Sequence, residues 1–76
     1  MKKEQINTSL YKALKSSFEA DRDAAVATLE VYFTNPVGVA EHPDFVNDLR
    51  EYTKKLAEAE ENIRVLEEYF WSRDGD

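Results

Sequence analysis

The residue types best suited to chemistry gather at the second proline, where Glu41, His42 and Asp44 crowd around Pro43. An imidazole flanked by carboxylates is a ligand set that a divalent metal accepts. A lone histidine before proline at a helix start is, however, ordinary turn and cap chemistry. Carboxylate-rich metal sites in helical proteins draw ligands three positions apart from two or more helices, and the Glu-x-x-His pattern is absent. Glu58, Glu60, Glu61, Glu67 and Glu68 fall mostly on outward helical positions, which makes a solvated face. There is no cysteine, no supported Ser/His/Asp arrangement and no glycine-rich phosphate loop. The expectation is a protein that is not an enzyme and uses no metal and no cofactor.

The aromatics say more. The chain has 4 Phe, 4 Tyr and 1 Trp. Phe18, Tyr32, Phe45, Tyr52 and Phe70 fit a core at helical spacing, whereas Phe33, Tyr69 and Trp71 do not. Tyrosine and tryptophan combine large apolar area with a polar tip and are enriched where proteins dock. Phe33, Tyr69 and Trp71 are therefore candidate interaction residues, together with Val37, Val39 and His42 of the connector. The alternative is that the terminal aromatics cover the open end of the bundle and that both valines fold back on Tyr32, Phe33 or Phe45.

Two elements must position these groups, and the punctuation of the sequence separates them. Thr34 to Asp44 holds both prolines and Gly38. Asn35-Pro36 stops a helix because the residue before proline is pushed out of the α region. Gly38 accepts a positive φ at little cost. Pro43 suits a first helical position and Asp44 the first turn, facing the positive end of the helix dipole. The spacing predicts one domain over residues 1–76: a helix over about 9–33, a connector over 34–42 and a helix over about 43–71.

The second helix is the clearer. Phe45, Leu49, Tyr52, Leu56, Ala59, Ile63, Leu66 and Phe70 are spaced alternately by four and three, the heptad seam of a coiled coil. Glu51–Lys55 and Glu60–Arg64 are expected side-chain pairs along it. In the first helix the apolar stripe reads Leu10, Leu14, Phe18, Ala25, Leu29 and Tyr32, with Asp21 and Arg22 where another apolar residue would be expected. Asn7-Thr8-Ser9 offers caps at its start. A weaker signal is an echo between residues 26–33 and 63–70, which match at four of eight positions.

The expected fold is all-α: an antiparallel two-helix hairpin, coiled-coil-like, assembling as a dimeric four-helix bundle or a higher oligomer. An even fold about Gly38 sets residue i opposite residue 77 − i, so that Tyr32 meets Phe45 and Leu14 meets Ile63. The charge supports the folding of one half on the other. The net charge is −6, and all of it lies in residues 41–76, which carry eleven acids and five bases against five of each in residues 1–40. Lys12 and Lys15 then approach Glu60, Glu61 and Glu67.

Composition narrows the function classes. An acidic balance argues against direct nucleic-acid binding, which requires an excess of Lys and Arg. No run approaches the ~18 apolar residues of a membrane span, and Met1-Lys2-Lys3-Glu4-Gln5 is followed by no apolar signal region. A cytoplasmic location is the expectation. Val26, Val31, Phe33, Val46, Val65, Tyr69 and Trp71 lie off the hairpin seam, and below ~70–80 residues one core rarely contributes more than ~3–5 kcal/mol. Self-association is the economical remedy. The chain reads as a protein-interaction module that binds itself and a further protein. The alternatives are an acidic decoy of nucleic acid and an oligomeric sponge for a small ligand.

The connector Asn35-Pro36-Val37-Gly38-Val39-Ala40-Glu41-His42-Pro43-Asp44, followed by an Ala-Glu-Ala-Glu helix ending Leu66-Glu67-Glu68-Tyr69-Phe70, resembles small uncharacterised proteins of T-even-like tailed bacteriophages, including those of cyanobacteria. The likeness spans roughly residues 29–70. Ala40 stands where glycine would be expected in such sequences, so that position tolerates a Cβ. The resemblance implies a phage accessory protein acting on a host or phage protein in the bacterial cytoplasm. It brings no activity and no functional residues with it.

Overall fold

The computed structural model describes residues 7–34 and 44–70. They form two helices, α1 (Thr8–Thr34) and α2 (Phe45–Phe70), which pack against each other, and no strand is present among the described residues. Each helix runs for roughly 40 Å at 1.5 Å per residue.

The start of α1 is capped by a side chain. The Asn7 side-chain oxygen accepts a hydrogen bond from the Leu10 backbone N–H at 3.1 Å, and the Asn7 carbonyl accepts one from the Tyr11 N–H at 2.9 Å. Asn7 thus satisfies donors that the first turn leaves unpaired. Asp44 does not enter the first turn of α2. It stands just before it as a turn residue, and its carbonyl receives the Asp48 N–H at 3.1 Å.

All eight seam residues of α2 turn inward: Ala59 and Ile63 are buried, and the other six are partly covered. The inward face of α1 differs from the expected stripe. Leu10 and Leu14 are 68% and 46% exposed, while Tyr11 is buried. Tyr11, Lys15, Phe18, Arg22, Ala25, Leu29 and Tyr32 are all covered and repeat the four–three spacing without a break, with Thr8, Glu19 and Thr28 partly covered beside them. Arg22 does not interrupt the seam but occupies it, as does Lys15. Long cationic side chains can lay their methylenes along apolar neighbours and carry the charge out to the edge.

The last turn of α1 meets the first turns of α2, with the Tyr32 ring 6.4 Å from Phe45 and 6.0 Å from Tyr52. At the far end Lys15 Nζ lies 2.9 Å from Glu67 Oε2. An even fold about Gly38 would put Lys15 opposite Asn62 and Tyr32 opposite Phe45. In the structure Tyr32 touches Phe45, Asp48 and Tyr52, and Lys15 reaches Glu67, so α2 is displaced by about one turn. Side-chain packing sets the register here and not the midpoint of the connector.

Ala25 and Ala59 are the most buried side chains, at 4% and 3% exposure, and both line the same groove between the helices. Small residues there let the backbones approach closely. Ala59→Leu should therefore wedge the pair apart and cost about 1–3 kcal/mol. Chemical denaturation checks this, and an unchanged midpoint would show that the helices are not in close contact at Ala59.

Candidate functional site

Tyr32 organises the connector end. Its hydroxyl bonds to the Asp48 carboxylate at 3.2 Å, and its ring packs edge-on against Phe45 and tilted against Tyr52. Burial, and then the bond to Asp48, raise the phenol pKa above its ordinary value. The phenol stays neutral and donates, so this cluster is a structural clasp. Lys55 stands 5.1 Å over the Tyr52 ring, a cation–π contact, in place of the expected pairing with Glu51.

Phe33 and Tyr69 are 69% and 53% exposed. The structure does not bring them together. Phe33 ends α1 beside the first turn of α2, and Tyr69 ends α2 beside the first turns of α1, about 30 Å away along the pair. They also emerge on opposite edges. Phe33 shares an edge with Val26, Glu60 and Glu67, whereas Tyr69 shares the other with Leu14, Asp21 and Lys55. The Tyr69 ring lies 6.4 Å from Phe70. Val37, Val39, His42 and Trp71, also singled out by the sequence, lie outside the described residues.

Leu10 and Leu14 join the exposed apolar set, with Val26, Val31 and Val46. Sequence reasoning placed both leucines in the core. The signal that could have found them is the unbroken spacing from Tyr11 to Tyr32, which appears only if Lys15 and Arg22 are accepted as seam residues. No described side chain is fully buried.

Charge is arranged along the edges. The Lys15 ammonium is held above its ordinary pKa by its bond to Glu67. Arg22 bonds to Asp23 at 3.0 Å, and Glu60 adds a favourable field. Arg64 does not pair with Glu60. It bridges Glu61 and Glu68, and the Glu61 carboxyl falls below its usual range as a result. Among the described residues no group of three His, Cys, Asp or Glu side chains could hold a metal ion. No described helix is long and apolar enough to cross a membrane. No protein family, curated protein or solved structure matches this chain.

Proposed function

We propose that this chain is a small acidic, non-enzymatic interaction module: an antiparallel helical hairpin that pairs with a second copy as a four-helix bundle and binds a further protein. The observation that carries this reading is the imbalance of apolar surface. Among the described residues seven large apolar side chains are exposed, yet no side chain is fully buried. A lone helix pair has one seam, and the leftover surface favours association. The contacts of Tyr32 with Phe45 and of Lys15 with Glu67 support the antiparallel arrangement. The resemblance of residues 29–70 to phage proteins supports the role of an accessory protein acting on a host or phage protein in a bacterial cytoplasm.

The decoy reading has less behind it. A mimic of nucleic acid needs free carboxylates in rows, and the outward row of α2 is interrupted by Arg64, which engages Glu61 and Glu68. Light scattering at micromolar concentration tests the module. The expected mass is at least twice the 8.8 kDa of one chain, and a return of the single-chain mass would overturn the reading.

A further inference from the structure

Two faces of nearly equal apolar content run along α1. Tyr11, Phe18, Ala25 and Tyr32 form one line down its inward side. Lys15, Arg22 and Leu29 flank that line on one side, and Leu14, Asp21 and Thr28 flank it on the other. At the coiled-coil period of 3.5 residues per turn each row lies ~50° from the line. The seam in the structure is the line with the first row: Leu29 is 8% exposed and Leu14 46%. A roll of α1 about its own axis by ~50° would keep the line and exchange the rows. Each row holds one leucine, so apolar burial nearly cancels in the exchange. Charge is left to decide. In the present face Lys15 has Glu67 at 2.9 Å, and Arg22 bonds to Asp23 within the field of Glu60. In the rolled face Asp21 would turn toward a groove that Glu58 also lines, and the Lys55 of that groove stands over the Tyr52 ring.

We propose that α1 is a two-position helix with a latch made of charge. The present face displays Leu14 and holds Lys15 and Arg22 against α2. The rolled face covers Leu14, uncovers Leu29 and releases both cations to solvent. The roll unwinds nothing, because the backbone hydrogen bonds of α1 run along its axis. It keeps the register, because every residue stays at its level. No described side chain is fully buried, so none locks the helix against turning. Small sliding of packed helices is one of the ordinary two-state motions of proteins. Two charge relations favour the present face: the attraction of Lys15 to Glu67, and the repulsion that Asp21 would meet from Glu58. Salt weakens both and so favours the roll. A partner that covers Leu14 holds the present face, because it binds that face alone. The roll occurs within one chain, whether or not copies associate.

The chain has no cysteine, so disulfide trapping reads the roll directly. Thr28→Cys with Lys55→Cys places one thiol on each helix across the grooved edge, and Val26→Cys with Thr53→Cys does so across the opposite edge. A roll brings the first pair together and parts the second, whereas loosening of the helices moves both alike. Each pair is placed in two versions of the full chain. Lys15→Leu with Arg22→Leu fills the present face, and Asp21→Leu fills the rolled face from an exposed position. Electrophoresis separates the crosslink within one chain from linked dimers. The first pair should close at least fivefold faster in Asp21→Leu than in Lys15→Leu with Arg22→Leu, and the second pair at least fivefold slower. In the parent, ~1 M salt, where the screening length falls to ~3 Å, should move both rates toward those of Asp21→Leu. Equal rates in the two helical variants, or both pairs moving in the same sense, would overturn the two-position helix. If Asp21→Leu loses its helical circular dichroism, the salt response of the parent decides, and an unchanged ratio of the two rates overturns the proposal.

Discussion

Ile63→Asp should abolish the folded state. Ile63 is 8% exposed at the centre of the α2 seam, and its loss alone removes burial of the kind that costs ~2–5 kcal/mol on truncation. The new carboxylate adds the cost of burying a charge. It would also join Glu60 and Glu67 on the same surface, where Arg22 and Arg64 are already engaged by Asp23 and by Glu61 and Glu68. The total exceeds the ~3–5 kcal/mol that a core of this size contributes. The measurement is the far-ultraviolet circular dichroism spectrum, which should lose most of its helical signal at neutral pH. Ile63→Val is the control, expected to cost only ~0.5–1.5 kcal/mol and to keep the spectrum. A folded Ile63→Asp chain with unchanged melting would mean that α1 does not cover Ile63.

The second large effect runs the other way. Replacing Lys15 and Arg22 together by leucine should stabilise the protein. Their side chains occupy seam positions while remaining 21% and 35% exposed. Exposed or half-exposed ion pairs contribute ~0–1 kcal/mol, whereas a leucine at a covered position contributes ~1.5–3 kcal/mol. Glu67 is half exposed, so the removal of Lys15 strands no buried charge. A net gain of ~2–4 kcal/mol corresponds to a rise in melting temperature on the order of ten degrees or more for a chain of this size. A melting temperature at or below that of the parent would show that the two cations contribute more through Glu60 and Glu67 than through their methylenes. The gain should carry a loss of definition, because charged seam residues specify register. With leucine at both positions, pairings one heptad apart become closer in energy.

The seam of α2 was fully legible because eight apolar residues hold one period with polar residues between them, and periodicity alone assigns a face. The cap at Asn7 was legible for a comparable reason, since its signal is local. The face of α1 was not. Two overlapping apolar stripes run along it, one through Leu10 and Leu14 and one through Tyr11, and both converge on Phe18. The first looked better because the second demands two cations in the core. The echo between residues 26–33 and 63–70 carries no shared role. The structure sets Tyr32 half-buried against an exposed Tyr69, and an exposed Phe33 against a half-covered Phe70, so the matched residues do not play matched parts.

What the sequence determined by itself is therefore local: two helices, the cap of the first, and the buried face of the one with a single unbroken period. Only the packing of α1 on α2 decided which stripe of α1 turns inward, because that choice depends on what each candidate meets. Lys15 is held in the seam with Glu67 at its edge, a residue about fifty positions further along the chain, whereas Arg22 bonds to its neighbour Asp23. The same packing moved the register by about a turn and left Leu10 and Leu14 outside. The apolar surface available to a partner is thus a property of the tertiary structure, set by the side-chain complementarity that the two helices found in each other.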